Sequence, residues 1–170
     1  MIGRLLDKLV FGLILVIALQ LPQLADHYQQ FLAGLYESTR WQVAGYEATA
    51  KEFHYADAEA MIARHQQNEE PSVRADAEQK LQTLAHYKAL TEGMTVFNTG
   101  NLFEKTAYIF NPVRFDYLEK TISNFKPGIP LTTSGIGFGV VVALVVHYLG
   151  SIPFILWARR RKRQRLARVD

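Results

Sequence analysis

Two stretches of the chain carry no charged side chain, and a polar, periodically apolar segment separates them. Residues 9–25 contain no Asp, Glu, Lys or Arg, and neither do residues 127–158. Within the second stretch, residues 136–157 form an apolar run rich in Val, Leu, Ile and Phe. As a helix that run reaches ~33 Å, about the thickness of a hydrocarbon core. Pro153 falls near its end, where an interrupted hydrogen-bond ladder is tolerated. The first run, residues 9–21, gives only ~20 Å as a helix. It spans a bilayer with Leu5 and Leu6 on one side and a turn at residues 22–25 on the other, with Asp7 and Lys8 snorkelling at the boundary. Cleavage after Ala25 as a secretory signal would put the large Gln23 where a small residue is required, so an uncleaved anchor is expected.

Between the apolar runs the period is helical. No proline occurs in residues 24–64, and Leu32, Leu35, Val43, Tyr46, Ala50 and Phe53 recur near a spacing of three and a half. This predicts a long helix that continues the first span, weakened by ~1 kcal/mol each at Gly34 and Gly45. "QQNEEPS" stops it. A second helix over about 72–92 places Val73, Ala77, Leu81, Leu84 and Tyr87 on one face, so the two helices pair as an antiparallel hairpin. "FNTGN" is a turn and "LFEKTAYIF" a short helix. Asn111-Pro112 is a breaker, followed by an amphipathic helix with Phe115, Leu118, Ile122 and Phe125. "KPGIPLT" is extended, because a residue before proline avoids the α region. Thr132, Thr133 or Ser134 caps the second span. The aromatic-rich residues 102–125 either close the core of a small helical domain or lie along the outer membrane–water interface.

The expected fold is therefore an all-α membrane protein, in which two antiparallel transmembrane helices flank an extracytoplasmic helical hairpin domain. Residues 1–21 are the N-terminal transmembrane anchor, 22–131 the extracytoplasmic (periplasmic) domain, 132–158 the second transmembrane helix and 159–170 a basic tail. Charge sets the orientation. The segment 26–126 carries 10 Lys+Arg and 14 Asp+Glu, whereas 159–170 carries 7 Lys+Arg and one Asp, so the overall charge of +3 hides a mildly acidic middle and a strongly basic end. Arg159, Arg160, Arg161, Lys162, Arg163, Arg165 and Arg168 directly follow a span, which predicts a cytoplasmic tail resting on anionic lipid head groups rather than a nucleic-acid site. Arg4 and Lys8 hold the N-terminus on the same side.

Three stretches carry a family resemblance: "MIGRLLDKLVFGLILVIALQLPQLADHYQQFLAG", "EEPSVRADAEQKLQTLAHYKAL" and "FKPGIPLTTSGIGFG". Together they resemble the bacterial family named domain of unknown function 2937. The resemblance implies a proteobacterial membrane protein and nothing sharper; in a Gram-negative host the orientation set by charge makes the domain periplasmic and places the spans in the inner membrane. The resemblance supplies no activity and no catalytic residue, and it does not extend to the basic tail.

The residues offer little chemistry. With no cysteine there is no thiol nucleophile, disulfide or thiolate metal site. "GIGFG" lacks the third glycine of a dinucleotide fingerprint, since Val140 stands there, and no strand precedes it. His54 and Asp57, three apart on the expected helix, with His65 and His86, lack metalloprotease spacing and read as solvated side chains. Glu69-Glu70 is a charged loop, and no nucleophile elbow surrounds Ser134. No catalytic residue, cofactor, metal, nucleic-acid partner or small-molecule substrate is expected.

One pattern remains. Gly135, Gly139, Ala143 and His147 lie four apart in the second span, and Gly150 extends the same face. Small residues at that spacing let transmembrane helices approach closely. An imidazole there faces protein rather than lipid. Matching the midpoints of antiparallel spans sets His147 opposite residues 13–17, all apolar, so its partner is expected outside the first span: a backbone carbonyl, a water or another subunit. These features point to a non-enzymatic accessory or scaffolding subunit whose partners are membrane lipids and another membrane protein or a second copy. The alternative is a periplasmic sensory or ligand-binding module that signals through another chain.

Overall fold

The computed structural model describes residues 2–128 and 132–166, with side chains for 6–128 and 132–153. Among the described residues six α-helices follow one another: α1 (Ile2–Glu52), α2 (Ala58–Gln66), α3 (Pro71–Thr99), α4 (Leu102–Ile109), α5 (Phe115–Ser123) and α6 (Thr133–Leu166). A single 3-10 turn, Pro112–Arg114, joins α4 to α5. Among the described residues there is no strand. Two helices, α1 and α6, are long and apolar enough to cross a membrane, with mean hydropathy of 1.9 and 2.0 in their most apolar windows.

The first apolar run and the periodic segment after it lie on one helix. As the helical period predicts, the first span continues unbroken into the next segment, and α1 runs through a buried Pro22. A proline removes one N–H from the ladder, and the Leu, Gln and Ala residues around it are strong helix formers. However, α1 stops at Glu52, short of the Arg64 that the proline-free stretch implied. His54 takes the left-handed conformation, φ 60°, and the Tyr55 N–H reaches back to the Ala50 carbonyl at 2.9 Å. That is the helix-ending motif usually built on glycine. Asp57 then caps α2, its carboxylate accepting from the Ala60 N–H at 2.7 Å.

Local chemistry sets the other boundaries. Pro71 occupies the first turn of α3, where its missing N–H costs nothing. The helix continues past Glu92 to Thr99 and ends at Gly100. Asn101 and Glu104 form a reciprocal capping box at α4: the Asn101 side chain accepts from Glu104 N at 3.1 Å, and the Glu104 carboxylate accepts from Asn101 N at 2.7 Å. Asn111 accepts from Val113 N at 3.1 Å and so starts the turn. Thr132 is the residue that caps α6, its hydroxyl accepting from Gly135 N at 3.2 Å. The α6 backbone stays helical through Pro153 to Leu166. The side chains of Arg159, Arg160, Arg161, Lys162, Arg163 and Arg165, and the whole of Arg168, lie outside the described residues.

The chain forms two compact units: Met1–Ala25 with Phe125–Asp170, and Asp26–Asn124. In the second unit, aromatic rings hold the helices together. Tyr28 of α1 stacks on Phe97 of α3 with ring centroids 5.4 Å apart, and Tyr108 of α4 meets both rings edge-on, at 6.2 and 5.6 Å. Leu32, Leu90, Ile109 and Leu118 are buried with them. Gly93 lets α3 pass beneath Tyr108: a Cβ there would clash with the Tyr108 hydroxyl and sit 3.0 Å from Leu32 Cδ2. Farther along the same helices Tyr36 stacks on Tyr87 at 5.5 Å, and the Lys80 ammonium sits 5.7 Å over the Tyr46 ring. Burial pushes the Tyr28 phenol well above its ordinary range, against the pull of the nearby Arg114 charge.

Candidate helix-pairing site

Three contacts join α1 to the other part of the first unit. The first is steric. Gly139 of α6 is buried, and a Cβ there would lie 2.6 Å from Leu19 Cδ2, 3.0 Å from Leu19 Cγ and 3.3 Å from Leu19 Cα. The α1 backbone is thus at the surface of Gly139, an approach only glycine permits. Ala143, one turn on, is fully buried.

The second contact is a backbone clamp. The Gln20 amide nitrogen donates to the Gly128 carbonyl at 3.1 Å, and its oxygen accepts from the Gly128 N–H at 3.2 Å. The same nitrogen also reaches the Val16 carbonyl at 3.2 Å. Gly128 sits between Pro127 and Pro130, so the segment is not helical, and its N–H and carbonyl are free to take a primary amide. Gln23 packs against the bare Cα, within 3.0 Å of where a Cβ would stand. One glutamine therefore satisfies two backbone groups and its own polar atoms where water is scarce.

The third contact is polar. His147 Nε2 lies 3.3 Å from Asp7 Oδ1, and Phe11, one turn after Asp7, meets the imidazole edge-on at 5.5 Å. This corrects the expectation that the partner of His147 lies outside the first span: it is a carboxylate of α1. Equal midpoints put His147 opposite residues 13–17, whereas the rings and carboxylate place it against Asp7 and Phe11. That shift of nearly two turns is enough to bring the acid into reach.

The five stripe residues thus divide. Gly139 and His147 touch α1, Gly135 and Ala143 are buried, and Gly150 is exposed, with open space where its Cβ would be. Leu19, Gln20, Gln23 and Asp7 were not singled out in the sequence as pairing residues. Gln20, the single polar side chain within residues 9–21, was the available signal.

The histidines weighed as metal ligands do not converge. His54 is in the link after α1, and Asp57 is spent on the α2 cap, so the two do not share a helix. His65 meets the Tyr55 ring at 6.2 Å, and His86 is hydrogen-bonded to the Tyr117 hydroxyl at 2.7 Å. Among the described residues no group of three His, Asp or Glu side chains could hold an ion.

The fold and this site define an all-helical protein with two candidate membrane-spanning helices. The chain belongs to the family described as "Protein of unknown function (DUF2937)", which it matches over residues 2–163. The match extends into the basic run at Arg159 to Arg163, which the resemblance read from the sequence had not covered. No curated protein and no solved structure matches the chain.

Proposed function

We propose that this is a non-enzymatic accessory or scaffolding subunit of the bacterial inner membrane, built from two antiparallel spans and a periplasmic helical hairpin. The observation that carries the reading is that α1 pairs with the other part of its unit through small and polar groups: Gly139 receives Leu19, Gln20 takes Gly128, and Asp7 takes His147. The two contacts with α6 run from Asp7 to Leu19 along α1 as they run from His147 back to Gly139 along α6, which supports an antiparallel pair. The remaining faces of both helices are apolar, with Leu9, Leu13, Val16 and Ile17 on one and Val141, Leu144, Val145 and Leu149 on the other exposed as a lipid-facing surface would be. The basic residues after Ala158 favour both termini in the cytoplasm. Reporter domains active only outside the cytoplasm should be silent when fused at Asp170 and active when inserted near Pro71. The reverse pattern would overturn the orientation.

The contact surface for a partner protein has one prominent anchor. Trp41 is 81% exposed on α1, and Gly34 and Gly45 nearby leave open space where side chains would be. A large aromatic standing clear of its own fold is the residue type that dominates binding energy at protein interfaces. Trp41→Ala should abolish co-purification of a specific membrane partner from gently solubilised membranes while leaving the protein folded and inserted. An unchanged set of co-purifying chains would argue against this surface.

The sensory alternative draws on a different feature. An open groove of about 510 Å³ is lined by Thr95, Thr99, Glu104, Asn111 and Arg114, among others, and is the place a small polar ligand would occupy.

A further inference from the structure

The connection between α4 and α5 is built inside out. Val113, at its tip, is 90% exposed, and Phe110 and Phe115 on either side are also exposed, as is Ile122 one face farther along α5. A turn of a water-soluble domain is ordinarily polar. Here the exposed positions of "FNPVRF", Phe110, Pro112, Val113 and Phe115, are all apolar, while Asn111 and Arg114 are half-buried, with the Arg114 guanidinium 4.0 Å over the Tyr108 ring. The core does not need these side chains: Ile109, Leu118 and Thr121, on the inner faces of the same two helices, fill it.

Two observations say what covers the tip. The helices that carry it are docked at the foot of the domain: Tyr108 packs against Tyr28, and Tyr117 meets Phe31 edge-on at 5.9 Å. Tyr28 follows Ala25, the last residue of the uncharged run, by less than one helical turn on the same helix, ~5 Å along its axis. In addition, nine residues separate Ser123 from Thr133, the first residue of α6, a tether that reaches at most ~33 Å. We propose that the turn at residues 110–115 inserts Phe110, Val113 and Phe115 into the head-group region of the bilayer that the spans cross. Arg114 sits among them as a ligand for lipid phosphate, its guanidinium resting on the Tyr108 ring with its edge N–H groups left to meet the head groups. Around the tip Lys105, Arg114, Lys120 and Lys126 are nearly balanced by Glu104, Asp116 and Glu119, so apolar burial rather than attraction to anionic lipid drives the contact. High salt therefore leaves it in place.

The inference rests on α1 and α6 crossing the bilayer and is independent of which side the domain occupies. The absence of cysteine makes the test simple. Three single-cysteine forms of the full chain, Val113→Cys, Leu13→Cys and Ser72→Cys, are labelled with an environment-sensitive fluorophore and reconstituted into phosphatidylcholine vesicles. Nitroxide-bearing lipids and aqueous iodide serve as quenchers. The Val113 label should be blue-shifted and quenched by a nitroxide near the head group, at low and at high salt. The Leu13 label should be quenched by nitroxides deeper in the chains, and the Ser72 label by iodide alone. A Val113 label that behaves like Ser72 while Leu13 remains lipid-quenched overturns the insertion and leaves the spans intact. A Leu13 label open to iodide removes both. If the Val113 label in native membranes is shielded from iodide and untouched by lipid nitroxide, the tip is covered by a protein and the lipid assignment is wrong.

Discussion

Replacing Gly93 with leucine should cause a large loss of stability in the helical domain. A Cβ at this position already clashes with the Tyr108 hydroxyl and presses on Leu32, and leucine adds three more carbons to that clash. The neighbours cannot step aside. Tyr108 is held edge-on by Tyr28 and Phe97 and carries Arg114 on its face, while Leu32 is completely buried. Overpacking a fixed core costs about 1–3 kcal/mol, and more where several rings must move together. The thermal midpoint should fall by several degrees, since 1 kcal/mol corresponds to roughly 4–8 °C in a domain of this size. Gly34→Leu is the matched control. Nothing lies within 4 Å of its Cβ position, and a glycine within a helix gives up about 1 kcal/mol against a good helix former, so that variant should be no less stable than the parent. Equal midpoints for the two variants would mean that the ring cluster is not packed as described.

Gly139→Leu should separate the two apolar helices. The space it needs is occupied by Leu19 from its Cδ2 inward to its Cα, so a new rotamer of Leu19 does not clear it and the helix axes must move apart. Such a shift also pulls Gln20 from Gly128, and each backbone group left without a partner in an apolar setting costs free energy of its own. Association in a membrane rests on close packing and interhelical bonds rather than on hydrophobic burial, so the pairing has little reserve. Gly137→Leu, two residues away, meets nothing within 4 Å and should be silent. Thermal unfolding in mild detergent distinguishes them: a lower midpoint for Gly139→Leu alone is the expected result, and parallel curves would place the stripe in lipid.

The origin of what was legible in the sequence is clear at individual residues. The two apolar helices follow from uncharged length, and α3, α4 and α5 follow from their caps and apolar spacing. Pro71, Asn101, Asn111 and Thr132 each act through a local bond to a neighbouring N–H or a fixed φ, which is chemistry that the sequence displays. The break after Glu52 was hidden because its helix-ending residue is His54 where glycine is usual, and only Asp57 signalled a new start. In the pairing site the small residues of α6 were readable from spacing, but what they meet was not. The register of two helices depends on contacts between residues more than a hundred positions apart, and an error of nearly two turns exchanged Asp7 for an apolar stretch. The Gln20–Gly128 clamp depends on the same long-range register together with a proline-flanked loop.

The closest contact to the account's centre is the pair Asp7 and His147, because it fixes which residues of two distant helices share a level. The chain contains no cysteine, so Asp7→Cys combined with His147→Cys introduces a single possible intrachain link. Mild oxidation or a short bifunctional reagent applied in native membranes should join the two within one chain, giving a faster-migrating monomer and a joined pair of peptides after proteolysis between the helices. The combination Leu13→Cys with His147→Cys, the level that equal midpoints would give, should link poorly. Efficient linkage at Leu13 and none at Asp7, or linkage only between separate chains, would contradict the pairing of α1 with α6 and with it the proposed two-span architecture.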